Sequence, residues 1–221
     1  MTDLSGLELY SFWRSSAAYR IRVALALKGL HAKTHAINLE QGEQLQPAFL
    51  AVNPQGAVPA LIVPGHPPIT QSLAILEFLD ETAPTPPLLP ADPFGRARVR
   101  SLASLMVADT HPLVVPRMRK YLTTTGGFDM DAWRAWQMQW FGAGMRTLEK
   151  RLANDPETGA FCHGDAVTMA DICVMSVNAV MRVFKIAFDD IPTVDRIVAR
   201  CAALDAFANA DPFKQPGAPA Q

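Results

Sequence analysis

The first third of the chain alternates strand-like runs with helical periods. Residues 7–12 form a short apolar and aromatic run typical of a strand, and residues 17–28 repeat apolar positions at helical spacing. The same pattern predicts further strands at residues 31–38, 58–63 and 69–70, and helices at residues 46–52 and from Ser72 through Leu79. This order, strand-helix-strand and then strand-strand-helix, predicts a small α/β unit with a mixed sheet.

The helix predicted at residues 17–28 carries signals for both of its ends. Ser15 or Ser16 offers an N-cap oxygen before the first apolar position, and Gly29 is placed to follow the last turn. Basic side chains fall between the apolar positions, which predicts an outward-facing side made of Arg20, Arg22 and Lys28.

The second part of the chain is predicted to be helical. Five prolines in residues 83–93 preclude a continuing helix there and indicate a stiff linker. Beyond Phe94 the period predicts one long helix from residue 97 through His111-Pro112 toward Leu122, a second over residues 131–152, and two more that start at Thr168 and Thr193. The tail from Asp211 onward is predicted to be irregular.

Composition and charge limit the classes of function. The 221 residues are 49% hydrophobic and 19% charged with a net charge of -1, which is typical of a globular chain of one or two domains. The near-zero charge argues against nucleic acid, and no apolar run reaches the roughly 18 residues of a membrane span. The first residues lack a secretion signal, and three widely spaced cysteines indicate a reducing compartment, so a cytoplasmic protein is expected. Cys162-His163 has no second pair at zinc spacing, so no metal site is expected.

The first candidate for chemistry is the turn Arg14-Ser15-Ser16, between a strand end and a helix start. The first N–H groups of a helix have no intrahelical acceptor, so a helix N-terminus with hydroxyls beside it stabilises an anion. An ordinary capped helix explains the same residues, and this segment alone leaves both interpretations open.

Two further segments admit a ligand-binding and a structural interpretation. Pro59, at the entry of a predicted strand, cannot donate to a sheet ladder and marks an edge or a special turn. A cis bond there would expose the backbone groups of Val58, although X–Pro bonds are mostly trans. Gln71 and Ser72 place an amide and a hydroxyl at another helix N-terminus, where they can hold a carboxylate or where Ser72 is simply the N-cap.

A third segment is interpreted as structural. Thr168 and Asp171 fit a capping box in which each caps the backbone N–H of the other, and Val167 and Ile172 are placed as a hydrophobic staple.

Together these motifs resemble the cytosolic glutathione transferases, and most of all their zeta class. That class includes the maleylacetoacetate isomerases and has bacterial maleylpyruvate isomerases as relatives. The resemblance runs from about Leu7 to Pro216, and the matching segments are Arg14–Arg22, Asn53–Leu61, Gln71–Ile75, Pro84–Pro86, Leu88–Pro90 and Gly164–Asp171. The first segment is specific to the class, whereas the others occur more widely in the family.

The resemblance implies an α+β N-terminal thioredoxin-like domain followed by an all-α helical bundle domain, with bounds of 1–87 and 93–221. It also implies glutathione as the cofactor, a small-molecule substrate, and assembly as a homodimer.

Roles for individual residues follow from the same resemblance. Ser15 and Ser16 are implied to face the glutathione sulfur, beside the active-site arginine of the family, Arg14. The implied cofactor-binding residues are Gln44 at the glycyl end, Val58 and a cis Pro59 at the cysteinyl unit, Gln71 and Ser72 at the glutamyl end, and His111. The candidates for substrate binding are Arg14, Arg117 and Arg182.

The implied activity is a glutathione-dependent cis-trans isomerisation of a maleyl keto-diacid, maleylacetoacetate or maleylpyruvate, in aromatic catabolism. Two alternatives stay open: a transferase that conjugates or reduces broad electrophiles, and a non-catalytic glutathione-binding module. The transferase is favoured by Ala17, since zeta members usually carry cysteine there. Arg182 departs from the family as well. The substrate arginine of the family directly precedes Phe-Lys, whereas Val183 separates Arg182 from Phe184-Lys185 here.

Overall fold

The computed structural model describes residues 3–220 and divides the chain into two compact units. One unit runs through Leu88 and also contains the segment from Ala203 onward, and the other is Leu89–Ala202. The domain bounds of 1–87 and 93–221 stay a prediction. No helix among the described residues is long and apolar enough to cross a membrane.

The regular elements follow the predicted order. The strands are β1 (Leu7–Ser11), β2 (Ala32–Ala36), β3 (Ala60–Ile62) and β4 (Ile69–Thr70). The helices are α1 (Ser16–Leu27), α2 (Pro47–Leu50), α3 (Ser72–Thr82), α4 (Pro93–Ser104), α5 (Pro116–Thr124), α6 (Met130–Ala153), α7 (Met169–Val183), α8 (Pro192–Ala202) and α9 (Asp205–Asn209). Turns of 3₁₀ helix lie at Glu43–Leu45, His111–Val114 and Pro212–Lys214, and a π-type segment spans Leu105–Thr110.

The first unit is built on a four-stranded mixed sheet in the order β2-β1-β3-β4. β1 and β2 are parallel, whereas β3 runs antiparallel to both β1 and β4. Side chains alternate along β1, so Leu7 and Leu9 are buried with Ala60 and Leu61 of β3. α1 and α3 pack against each other. The predicted α/β unit with a mixed sheet is confirmed.

α1 begins and ends where its sequence signals lie. Ser15 is the N-cap, and its Oγ accepts a hydrogen bond from the Ala18 N–H at 3.2 Å. The helix closes at Gly29, whose φ of +64° is left-handed, and the following Leu30 N–H donates to the Leu25 carbonyl at 2.8 Å.

The predicted outward-facing basic side of α1 is wrong, because all three side chains have partners inside the unit. Lys28 is buried, and its Nζ donates to the Asp80 carboxylate at 2.8 Å and to the Pro86 carbonyl at 2.6 Å. Arg20 is fully buried, and its guanidinium donates to the hydroxyls of Ser16 and Ser72. Long basic side chains bury their apolar stems, and the helical period does not reveal distant polar partners.

Arg22, the third of these residues, binds the C-terminal segment to the first unit. Its guanidinium donates to the Ser11 hydroxyl at 3.0 Å and to the Ala210 carbonyl at 3.2 Å. Burial lowers the pKa of Arg22 to about 10. The ring of Phe213 packs on Trp13 with 5.6 Å between centroids. These contacts explain why the tail belongs to the first unit.

The long helix predicted from residue 97 toward Leu122 is wrong. The chain leaves α4 through the π-type segment and the 3₁₀ turn before α5 begins. Pro112 and Pro116 lack the N–H groups that a continuing helix requires. Gly144 of α6 also approaches this region closely, since a Cβ there would lie 2.1 Å from Thr110 Oγ1.

The other helices of the second unit begin close to their predicted positions. α6 covers the predicted 131–152, α7 follows its cap at Thr168, and α8 begins one residue before the predicted Thr193. α9 was not predicted. The tail from Asp211 onward contains a 3₁₀ turn among otherwise irregular residues, as predicted.

The predicted capping box at the start of α7 is confirmed. The N–H and the hydroxyl of Thr168 each donate to Asp171 Oδ2 at 2.8 Å. The Cys162 N–H donates to Asp171 Oδ1 at 2.7 Å, so the carboxyl group also holds the preceding loop. Asp171 is fully buried, and burial raises its pKa.

We therefore expect Asp171→Ala to lower the free energy of unfolding by about 2–4 kcal/mol, more than the loss of one cap, because three buried donors lose their acceptor. Urea denaturation measures the change. The matched control is Asp131→Ala, which removes an exposed first-turn aspartate of α6 and is expected to cost well under half as much. Equal midpoints for wild type and Asp171→Ala would contradict the prediction.

Candidate active site

The turn between β1 and α1 places two hydroxyls in different surroundings. Ser15 is half-buried and caps α1. Ser16 is only 2% exposed, and its Oγ accepts a hydrogen bond from Arg20 Nη2 at 3.1 Å. Ser15 is therefore the more accessible hydroxyl at a helix end that stabilises anions.

Arg20 connects the first helix to the third. Its Nη1 donates to Ser72 Oγ at 2.7 Å, while Nη2 binds Ser16. The interpretation of Ser72 as an N-cap is therefore wrong: Gln71 occupies the cap position, Ser72 is the first residue of α3, and its hydroxyl accepts from Arg20. One buried guanidinium thus holds the N-termini of α1 and α3 together.

Gln71 lies at the N-terminus of α3 in an unusual backbone conformation. Its φ is +68°, which is uncommon for a residue with a side chain. Its exposed amide donates to Gln55 Oε1 at 2.8 Å. Such conformations persist where the surroundings determine them and cluster at ligand sites, which supports a binding role.

Val58 and Pro59 lie beside this position. Pro59 precedes β3, and Ala60 of β3 pairs with Thr70, the residue before Gln71. The Val58–Pro59 bond is cis, as the resemblance implied and contrary to what the sequence alone favours. A second cis bond, Thr85–Pro86, was not predicted.

Gln44 lies next to the turn that precedes Val58. A Cβ on Gly56 of that turn would be 3.2 Å from the Gln44 carbonyl oxygen. The side-chain Oε1 of Gln44 is buried without a hydrogen-bond partner among residues 3–220. A buried acceptor of this kind is costly unless a donor reaches it, and an N–H group of a ligand would satisfy it.

Arg14 lies directly before the serine pair. Its guanidinium carbon is 5.7 Å from the ring centroids of both Phe12 and Trp13. Its Nη2 forms an ion pair with Glu40 Oε1 at 2.5 Å. Arg14 is thus a positioned cation that already binds one carboxylate.

The remaining predicted site residues belong to the second unit. His111 opens the 3₁₀ turn after the π-type segment, Arg117 is exposed in the first turn of α5, and Arg182 is exposed in the last turn of α7. The structure therefore brings the predicted site residues of the first unit together. His111, Arg117 and Arg182 lie on three separate elements of the second unit.

Sequence reasoning missed three residues of this arrangement: Arg20, Glu40 and Gln55. Only Arg20 had a usable signal, because it lies four residues after Ser16 on the same face of a helix. The other two reach the site from loops.

The cysteines take no part in this arrangement. Cys162, Cys173 and Cys201 are buried and form no disulfide among residues 3–220. Burial raises the pKa of the Cys162 and Cys201 thiols, which makes them poor nucleophiles. Within residues 3–220, no cluster of three or more His, Cys, Asp or Glu side chains is placed to hold a metal ion.

Comparison with known proteins adds to this geometry. Residues 5–81 match the family model described as the glutathione S-transferase N-terminal domain. The chain is 42% identical to a maleylpyruvate isomerase of Ralstonia over 95% of this chain and 99% of that protein. It is 39% identical to a maleylacetoacetate isomerase of Pseudomonas aeruginosa over 97% of this chain and 100% of that protein.

Solved structures of isomerases show similarity over the same length of the chain. A maleylacetoacetate isomerase from Methylobacterium extorquens AM1 with bound malonate and glutathione shares 49% identity and a TM-score of 0.94, covering 96% of this chain and 100% of that one. A maleylpyruvate isomerase described as a bacterial zeta-class glutathione S-transferase shares 42% identity and a TM-score of 0.92, with the same coverage of both chains. With similarity that extends over nearly its whole length, the chain belongs to the zeta class of the glutathione S-transferase family.

Proposed function

We propose that this protein is an enzyme that catalyses the glutathione-dependent cis-trans isomerisation of a maleyl keto-diacid, maleylacetoacetate or maleylpyruvate, in aromatic catabolism. The observation that carries the proposal is the half-buried Ser15 hydroxyl at the N-terminus of α1, directly after Arg14 in the chain. An anion-stabilising helix end beside a cation suits a thiolate and an acidic substrate. The similarity to isomerases over nearly the whole chain supports the same activity.

The first unit fits glutathione at several points. The N-terminus of α3, with Gln71 and Ser72, suits the glutamyl carboxylate. The backbone groups of Val58, before the cis Pro59, would pair with the cysteinyl unit. The unpartnered Oε1 of Gln44 suits an N–H donor at the glycyl end.

The chain's own residues would then prepare the reactive sulfur. When bound, glutathione would supply a thiolate that adds to a double bond conjugated with a carbonyl, leaving a single bond that can rotate before the thiolate is expelled. Ser15 would donate a hydrogen bond to the sulfur, and the N–H groups of α1 would stabilise its negative charge, which would lower a thiol pKa that is otherwise about 8.5. Ser16, buried against Arg20, acts as a positioning residue for this turn.

The substrate requires cations, because a keto-diacid carries two negative charges and gains more negative charge at its carbonyl as the sulfur adds. We propose that Arg14 binds one carboxylate, through the bidentate geometry that a guanidinium favours. Arg117 and Arg182 are proposed as further substrate contacts, and His111 as a cofactor contact.

We further propose a cytoplasmic homodimer. Buried cysteines that form no disulfide among residues 3–220 fit a reducing compartment, and light scattering tests the dimer.

A transferase that acts on broad electrophiles is the second candidate. It is favoured by Ala17, which lies in the first turn of α1 and offers neither a donor nor a thiol.

We expect the purified protein with glutathione to isomerise maleylacetoacetate or maleylpyruvate, and NMR of the product measures the cis-to-trans conversion. Activity toward model electrophiles without isomerisation would select the transferase. Binding of glutathione with no lowering of its thiol pKa would select a non-catalytic module.

We expect Ser15→Ala to lower kcat by about 100-fold, a typical loss for one charge-stabilising donor, and to raise the pKa of the bound thiol. Ultraviolet titration of the thiolate measures this pKa. Ser15→Thr keeps the hydroxyl and the cap, so it should restore most of both values. Ser16→Ala is the matched control, with a smaller effect expected because its hydroxyl faces Arg20. Equal effects of the two alanine variants would contradict the assignment.

We expect Arg14→Gln to raise KM for the diacid by about 10–100-fold, as expected when a charged hydrogen bond is lost, while the affinity for glutathione changes little. Steady-state kinetics and calorimetry measure the two quantities. Arg200→Gln, at an exposed position of α8, controls for the change of net charge. An unchanged KM in Arg14→Gln would remove Arg14 from the substrate site.

A further inference from the structure

The Arg14 side chain is fixed rather than freely mobile. Its guanidinium lies at 5.7 Å from the centroids of the Phe12 and Trp13 rings, both of which are buried. The side chain is 19% exposed. Cation–π contacts of this kind hold a guanidinium in place while leaving its N–H groups available to carboxylates.

Glu40 is brought to Arg14 by a loop that is itself hydrogen-bonded. Asn38 Oδ1 accepts the Glu40 N–H at 3.0 Å and the Gln41 N–H at 3.3 Å. The Asn38 N–H donates to the Glu43 carboxylate at 2.6 Å. The turn therefore presents Glu40 in a defined position, where its Oε1 lies 2.5 Å from Arg14 Nη2.

We propose that Glu40 competes with substrate carboxylates for Arg14 and so limits the affinity of the site for its substrate. This proposal rests on the proposed function of Arg14 as a carboxylate-binding residue. A carboxylate that already accepts from Nη2 takes up part of the fork that a substrate carboxylate would use, so the substrate has to displace Glu40 or share the guanidinium. The apparent affinity for the substrate is the intrinsic affinity multiplied by the fraction of molecules in which Glu40 does not occupy Arg14.

The exposure of the pair sets the size of the effect. The Glu40 side chain is 55% exposed, so water and salt screen its attraction to Arg14. Glu40 is therefore an exchangeable competitor and not a permanent block. A carboxylate that displaces it replaces one ion pair by another.

The test uses the full chain loaded with glutathione and malonate as a dicarboxylate probe. We expect Glu40→Gln to bind malonate about two- to fivefold more tightly than wild type by isothermal titration calorimetry, as expected for removal of a half-exposed ion pair. For the maleyl substrate the change should fall on KM rather than on kcat. Glu81→Gln removes the same charge from an exposed position of α3 and should leave the malonate affinity unchanged.

The double variant Arg14→Gln with Glu40→Gln shows whether the effect acts through Arg14. Removal of Glu40 should bring no gain once Arg14 is absent. An unchanged or weaker malonate affinity in Glu40→Gln overturns the proposal, and so does a lack of malonate binding in both proteins. Absence of isomerase activity in wild type would instead refute the proposed function. The malonate titration would still show whether Glu40 competes with an added carboxylate for Arg14.

Discussion

The candidate site depends on one buried side chain, Arg20. Its guanidinium joins Ser16 at the start of α1 to Ser72 at the start of α3, at 3.1 Å and 2.7 Å. Hydrogen bonds to a buried charge are strong, and a lost partner leaves that charge unsatisfied, so the two helix N-termini are held in fixed positions. Each serine oxygen accepts from Arg20, so neither hydroxyl can donate its proton to this guanidinium. The positions of Ser15 and Gln71 follow from this arrangement.

Much of the fold could be predicted because its signals are local. The cap at Ser15, the closing Gly29 and the capping box at Asp171 each depend on residues within a few positions of one another. The errors arose where the partner is distant in sequence. Arg20 was predicted to face solvent because its partner Ser72 is distant in sequence and the residues around Arg20 give no sign of that hydrogen bond. The long helix failed for a local reason, since Pro112 and Pro116 lack N–H groups that it would need although the apolar period continues.

The candidate site was predicted less completely than the fold. The resemblance supplied Ser15, Val58 and Gln71, which lie on elements whose order and caps are readable from the sequence. It did not separate Ser15 from Ser16, because accessibility depends on the three-dimensional packing around Arg20. Glu40 could not be found either, because a loop side chain reaches Arg14 only through turn geometry and has no periodic pattern.

The difference between residues on regular elements and residues on loops explains why membership of the family predicts the cofactor better than the substrate. Of the proposed glutathione-binding residues, Ser72 is bonded to the buried Arg20 and Pro59 leads directly into β3, so changes at these positions affect the core. The cation that we propose to bind a substrate carboxylate is paired instead with an exposed loop residue. Loops of this kind change with little cost in stability. If Arg14 binds the substrate as proposed, the affinity for the substrate carboxylate can vary within one fold, and the loop at Glu40 is the place in the first unit where such variation would act.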